Sequence, residues 1–91
     1  MLTVTEAARE KLKETLLANT DDQEASLRLT MRPPGQLGLV LDRVSPGDDV
    51  VEHQGSKVLV VSHEIAELLQ GSKLDVEDTP DGKRLKIFQE Q

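Results

Sequence analysis

The first part of the chain has a helical hydrophobic pattern. Its apolar stripe consists of Ala8, Leu12 and Leu16, with Leu17 beside them. Residues four apart lie on one face of a helix, so the stripe predicts a helix that runs to about Asn19 and packs against a core. Leu2 and Val4 predict a short lead-in strand. Either Thr3, which fits a capping box with Glu6, or Thr5 is expected to cap the helix.

The pattern then changes to alternation, which is typical of a half-buried strand. The apolar Leu27, Leu29 and Met31 alternate with the polar Arg28, Thr30 and Arg32. One face of this strand is therefore expected to be buried. Pro33-Pro34-Gly35 is expected to end it, because proline supplies no ladder donor. Leu39 to Val44 predicts the next strand, and Ser45 to Asp48 predicts a turn.

The second half of the chain predicts two hairpins separated by a short helix. The runs Asp49–His53 and Ser56–Val61 flank Gln54-Gly55, which favours a tight turn. Ser62 is expected to cap a helix from His63 to Gln70 that Gly71 ends. The predicted buried stripe of this helix consists of Ile65, Leu68 and Leu69. The last two predicted strands are Leu74–Glu77 and Arg84–Phe88, around the turn Thr79–Gly82.

This order of elements indicates an α+β fold. Short strands and two helices favour a sandwich-like sheet arrangement in one domain that spans residues 1–91. Phe88 is the only aromatic residue, so the small core is expected to be aliphatic.

Charge and composition exclude several classes of function. The net charge is −6, and no basic stripe follows any predicted element, so neither nucleic acid nor an anionic membrane surface is an expected partner. The longest apolar run, Val58–Val61, is too short to cross a bilayer. The N-terminus lacks the regions of a signal peptide, so the expected compartment is the cytoplasm. The sequence has no cysteine, which excludes disulfides, thiol catalysis and thiolate metal sites made by these residues.

Few residues are candidates for chemistry. His53 and His63 are the conventional nitrogen ligands, but they lack a short metal-ligand spacing, and a structural or surface role is the expected one. Asp48-Asp49 is expected to serve a turn, and Ser62 a helix cap rather than a nucleophile. No pair of residues stands out as a general acid and base, so no catalytic residue is expected. The glycine-bounded segment Gly35-Gln36-Leu37-Gly38 is the most distinctive feature, and it predicts a loop.

The whole pattern resembles the A-type iron–sulfur carrier family, the HesB/IscA-like proteins. The similarity runs from about Leu2 to Phe88. The segments that carry it are Thr5-Glu6-Ala7-Ala8, Leu27-Arg28-Leu29, Gly35-Gln36-Leu37-Gly38, Ser56–Val61, and Leu68–Asp75, which matches the signature Leu-x-Gly-x-x-Leu/Ile-Asp. The resemblance implies a small HesB/IscA-like fold with mixed and antiparallel strands. It also implies dimers or larger oligomers.

The departures from the family concern its ligands. The resemblance places one cluster-ligating cysteine in the glycine-bounded loop, where this sequence has Gln36, and two more in a Cys-Gly-Cys tail that is not found before Gln91. A glutamine amide is a poor ligand for iron in a cluster. The segment Gly35–Gly38 is therefore expected to be vestigial, and no cofactor is expected.

These observations lead to one main expectation and two alternatives. The main one is a non-enzymatic adaptor, accessory or regulatory factor related to iron–sulfur cluster assembly or sulfur metabolism, with protein partners and a homodimeric state. The first alternative is a carrier of iron or another metal that uses His53, His63 and carboxylates, or thiols supplied by a partner. The second is a small enzyme that uses a carboxylate and a histidine.

Overall fold

Two helices and seven strands make up the part of the chain that the computed structural model describes, residues 2–32 and 36–89. In chain order they are β1 Thr3–Val4, α1 Glu6–Asn19, β2 Ser26–Arg32, β3 Gln36–Asp42, β4 Asp49–His53, β5 Ser56–Val61, α2 His63–Leu68, β6 Ser72–Thr79 and β7 Gly82–Gln89. This composition confirms the predicted α+β class. No helix within these residues is long and apolar enough to cross a membrane.

The strands form two sheets. One has four strands in the order β3-β2-β5-β4, and the other has three strands in the order β1-β6-β7. Both are mixed, because β2 pairs with β5 and β1 pairs with β6 in parallel while the remaining pairs are antiparallel. Each parallel pair joins strands that are distant in the chain, so the topology depends on long-range contacts.

The aliphatic core lies between α1 and the two sheets. The helix contributes the predicted stripe of Ala8, Leu12 and Leu16, all buried. Leu27 and Leu59, which are partners across the parallel β2–β5 pair, pack against it, as does Leu74 from the other sheet. Leu17 departs from the prediction: it is 64% exposed, because it lies a further 100° around the helix from Leu16.

Thr5, and not Thr3, caps α1. Its Oγ1 accepts a hydrogen bond from the Ala8 backbone N–H at 3.1 Å and donates one to Asp75 Oδ1 at 2.7 Å. The capping box predicted from Thr3 and Glu6 is therefore wrong, because Thr3 is paired in β1 with Lys73. The link from Thr5 to Asp75 connects the start of α1 to β6.

The hairpin around Gln54-Gly55 is confirmed. Both residues have positive φ, 52° and 82°, which is typical of the tight turns that match strand twist. A register shift next to Val51 and Glu52 places an extra residue in β5. Since such a bulge interrupts alternation, Val58 and Leu59 can both be fully buried in the core.

The second helix is shorter than predicted. It begins after the Ser62 cap, as expected, but ends at Leu68 rather than at Gln70. Leu68, predicted to be buried, is 74% exposed, whereas Leu69 is buried in the core. The chain turns away after Leu69 and passes through Gly71 at φ +77°, so a helical stripe does not continue to this point.

Candidate functional site

The predicted loop that begins at Gly35 is part of a strand from Gln36 onward. Gln36, Leu37 and Gly38 are the first residues of β3, where they pair with Arg32, Met31 and Thr30 respectively. Gly35 lies outside the described residues.

The sequence carried a signal for this strand. Leu37, Leu39 and Leu41 alternate at period two and lie opposite the alternating apolar residues of β2. The two glycines and the prolines obscured this alternation, since glycine and proline usually mark turns. The boundary predicted at Leu39 was therefore wrong, and β3 runs from Gln36 to Asp42.

The side chain of Thr30, and not the backbone conformation, favours glycine at position 38. A Cβ atom at this position would lie 2.7 Å from Thr30 Oγ1 on the adjacent strand. Real Cβ contacts are longer, so any side chain would displace Thr30. The glycine thus allows the two strands to pair closely at the site where the resemblance places a cluster ligand.

Gln36 is exposed at the start of β3 and borders a shallow open hollow of about 190 Å³. The hollow is lined by Thr30, Arg32, Gln36, Leu37, Gly38, Leu39 and Val40. These residues offer a neutral amide, a hydroxyl, a guanidinium and methyl groups. They can form hydrogen bonds and apolar contacts, but they include no thiolate, carboxylate or imidazole.

Two further hollows lie between β3 and the other sheet, and Leu37 borders both. The apolar one has a volume of about 180 Å³ and is lined by Leu29, Leu37, Gly38, Leu39, Leu74 and Leu85. The second, about 380 Å³, is lined by Leu37, Glu77, Arg84, Leu85, Lys86 and Ile87. An opening with a leucine-lined floor and a charged rim thus separates β3 from β7.

The two histidines have different environments. His53 lies at the end of β4 and is only 9% exposed. Its Nε2 atom has no hydrogen-bond partner within the described residues. His63 is exposed on α2, where its Nε2 atom lies 3.0 Å from Glu67 Oε1. Within residues 2–32 and 36–89, no group of three or more histidine, aspartate or glutamate side chains is disposed to hold a metal ion.

An ion-pair network on the four-stranded sheet was not predicted. Arg28 on β2 donates to Asp48 at 2.7 and 3.2 Å and to Asp42 at 2.6 Å. Asp48 also accepts from the Ser45 backbone N–H at 2.8 Å, which confirms its predicted role in the turn. Its side chain is only 6% exposed. The network joins β2, the end of β3 and the turn before β4.

The network lowers the pKa of both carboxyl groups. The main cause for Asp48 is the hydrogen bond from Arg28, and for Asp42 it is the Arg43 backbone N–H, followed by Arg28. The pKa of Asp75 is lowered mainly by the hydrogen bond from Thr5. These shifts have structural partners in every case. They do not mark a general acid or base.

The fold is similar to those of three proteins of known structure. The crystal structure of Escherichia coli SufA, involved in biosynthesis of iron–sulfur clusters, has a TM-score of 0.69 and 25% identity, over 97% of this chain and 84% of SufA. IscA with a [2Fe-2S] cluster has a TM-score of 0.63 and 21% identity, over 98% of this chain and 85% of IscA. An Aquifex aeolicus protein whose structure was solved by NMR has a TM-score of 0.64 and 26% identity, over 96% of this chain and 89% of that protein.

This chain has the A-type iron–sulfur carrier fold. The likeness covers nearly all of the chain, so the expectation from the sequence pattern is confirmed for the fold. No protein-family model and no curated protein matches the sequence. Within the A-type carrier fold, the 91 residues of this chain include no cysteine.

Proposed function

We propose that this protein is a non-catalytic accessory factor, an adaptor or regulator related to iron–sulfur cluster assembly or sulfur metabolism, and that it does not hold a cluster with its own side chains. The observation that carries the proposal is the A-type carrier fold combined with Gln36 at the position where the resemblance places a cysteine. The proposed compartment is the cytoplasm, as expected from the sequence.

The donor chemistry of β3 supports the absence of a self-held cluster. Iron–sulfur clusters are held by thiolates and in some cases by imidazole. The Gln36 side chain ends in an uncharged amide, and its neighbours across the ladder and along the hollow supply no thiolate or imidazole. For a carrier the cluster is cargo, and the residues at this position do not fit that cargo.

The surroundings of the histidines support a role without catalysis. In the part of the chain that the structure describes, the one histidine–carboxylate contact is His63 with Glu67, whose side chains are 73% and 61% exposed. An acid–base pair needs a site that binds substrate and excludes water. This contact lies on the open surface of a short helix.

Anaerobic reconstitution tests the first half of the proposal. The purified chain is incubated with ferrous iron, sulfide and a thiol reductant, desalted, and analysed for iron, sulfide and visible absorption. We expect no stoichiometric cluster, because the ligands are missing. A stable cluster in a fixed ratio to this chain would contradict the proposal.

A transfer assay tests the accessory role. SufA reconstituted with a cluster is mixed with an apo-protein acceptor, and the rate at which the acceptor gains the cluster is measured with and without this protein. We expect a saturable change in rate and a complex between this protein and one of the two partners. An unchanged transfer rate, together with no complex in sedimentation, would contradict the proposed accessory role.

The metal-carrier alternative has one observation in its favour, the buried and unpartnered Nε2 atom of His53. Calorimetric titration with ferrous iron, zinc and manganese separates the two proposals. A carrier that uses histidine would lose affinity when His53 and His63 are both replaced by alanine. The accessory proposal expects no specific binding in either protein.

A further inference from the structure

The four outer strands of the two sheets differ in how their open edges are protected. An exposed strand edge presents unpaired backbone N–H and C=O groups, and proteins usually guard it with charges, short length or a covering element. β1 has only two residues. β7 carries Lys83, Arg84 and Lys86. β4 carries Asp49 and Glu52, and Arg9 of α1 donates to the Glu52 carbonyl at 3.4 Å.

In the part of the chain that the structure describes, β3 lacks these protections. It is seven residues long and uncharged from Gln36 to Leu41. In an antiparallel pair alternate residues bond to the neighbour, so the other residues of β3 direct their backbone groups to the open edge. Within residues 2–32 and 36–89, no backbone or side-chain group outside β2 and β3 hydrogen bonds to Gln36–Leu41.

The side chains of β3 are also suited to a contact. Val40 on the outer face is 46% exposed, and Leu41 on the inner face is 47% exposed. A strand added beside β3 would direct alternate side chains to these two faces. The inner side chains would enter the leucine-lined hollow between Leu37 and Leu85. The outer ones would lie in the outer hollow, beside Gly38 and Thr30.

Two arginines flank this edge. Arg32 borders the outer hollow, and Arg84 borders the charged rim across from Leu37. In the described part of the chain neither has a carboxylate within 4.0 Å, whereas Lys86 on the same rim is paired with Glu77 at 3.0 Å. The edge of β3 is therefore locally basic on a protein whose net charge is −6.

We propose that the edge of β3 is a docking site for an extended segment of a partner protein, which adds to the sheet as a strand and has apolar residues alternating with acidic ones. Main-chain hydrogen bonds to β3 supply affinity, and the two hollows select alternate side chains. Arg32, on the outer face, selects the acidic residues. This inference rests on the proposed accessory function and specifies how the protein recognises its partner.

The test titrates the isotope-labelled protein, followed by NMR, with an unlabelled peptide as long as β3 in which leucine and valine alternate with glutamate and threonine. We expect amide shifts in Gln36–Asp42 and in the residues of the hollows. A matched peptide that is methylated at its central backbone nitrogens keeps the side chains but lacks the donors, and it should cause no such shifts. Equal binding of both peptides, or no shifts in β3 with either, would overturn the proposal.

Two matched variants localise the contact. Val40→Glu and Val50→Glu add the same charge to the same face of the four-stranded sheet, at residues that are 46% and 39% exposed on its opposite edges. Val40→Glu should weaken peptide binding at least about tenfold, because a like charge then faces the acidic peptide, while Val50→Glu should leave it within about twofold. Equal effects of the two variants would reject β3 as the site.

Arg32→Gln, on the outer face, supplies an independent measurement if Val40→Glu fails to fold. It should weaken binding of the glutamate peptide and spare a copy with glutamine in place of glutamate. Sedimentation of the free protein tests whether a second copy of this chain, rather than a partner protein, occupies the β3 edge. A concentration-dependent dimer that Val40→Glu dissociates would assign the edge to a second copy and overturn the proposal.

The peptide titration involves no iron or sulfide, so a negative result removes the β3 edge as docking site while the transfer assay still decides the accessory role. A negative transfer assay with a positive titration leaves a peptide-binding protein of another pathway.

Discussion

At the scale of single residues, the site is defined by what Gly38 and Gln36 lack. Gly38 has no Cβ, which leaves room for Thr30 Oγ1, and Gln36 has no ionisable group with which to ligate iron. The glycine has a structural role within the β2–β3 ladder that does not depend on any cargo.

Gly38→Ala is expected to destabilise the protein by about 1–3 kcal/mol, because the new methyl group overlaps Thr30 Oγ1 and threonine has little rotamer freedom to move aside. Chemical denaturation measures the change. Thr30→Ala provides the control: in that background the cost of Gly38→Ala should fall. If the two changes were additive, Thr30 would not be the obstacle.

At the scale of elements, short-range hydrogen bonds connect parts of the chain that are distant in sequence. Thr5 joins the start of α1 to β6, and Arg28 joins β2 to the turn before β4. Thr5 lies at the start of a helix, where backbone donors lack partners of their own, whereas Arg28 lies within β2 and reaches Asp48 with its side chain. They determine how the elements are oriented around the aliphatic core.

Thr5→Ala is expected to lower the free energy of unfolding by about 1–2 kcal/mol, since it removes the cap of α1 and the hydrogen bond to Asp75 together. Thr3→Ala is the matched control, because Thr3 was the other predicted cap and is exposed. Thermal and denaturant unfolding should show a much smaller effect for Thr3. Equal losses would contradict the assignment of Thr5 as the cap.

The Arg28 network predicts sensitivity to acid. The folded-state pKa of Asp48 is lowered by Arg28, so the folded state binds fewer protons than the unfolded state. The stabilisation is therefore fully present at neutral pH and is lost as the pH falls below the ordinary aspartate value of about 3.9.

Asp48→Asn should reduce stability near pH 7 by about 1–3 kcal/mol and reduce the dependence of stability on pH in the acidic range. Denaturation at a series of pH values measures both effects. Asp21→Asn, at an exposed loop residue, is the control and should leave the profile unchanged. A parallel shift of the whole profile, without a change in slope, would contradict the linkage to Asp48.

At the scale of the whole molecule, α1 and the two sheets share one small aliphatic core. Leu74 is fully buried and belongs to the three-stranded sheet, yet it lines the hollow beside β3 of the other sheet. The packing between the sheets therefore depends on a few leucines. A chain of this size has little excess burial with which to compensate for a loss.

Leu74→Ala is expected to cost about 2–5 kcal/mol, because it leaves a cavity between the two sheets. Leu68→Ala is the matched control, since the same atoms are removed from a side chain that is 74% exposed. Its effect should stay within about 0.5 kcal/mol in chemical denaturation. A large effect of Leu68→Ala would mean that this residue is buried in solution.

Local patterns in the sequence predicted most of the elements. The stripe of Ala8, Leu12 and Leu16, the alternation in β2 and the turn at Gln54-Gly55 each depend on neighbouring residues, and all three agree with the structure. Prediction failed at the exposed Leu17, at the Thr3 cap and at element boundaries near glycines. β3 was placed three residues late, and α2 was extended by two residues.

The sequence by itself determined the α+β class, the order of the elements and the absence of a thiolate, because helix and strand periodicities and residue identities are local properties. Only the tertiary structure decided that Gln36 lies in a strand, that Arg28 pairs with Asp48, and that β3 is an open edge beside a leucine-lined hollow. These features arise from the pairing of strands and the packing of sheets. Such contacts join residues that are distant in the chain, and periodicity contains no information about them.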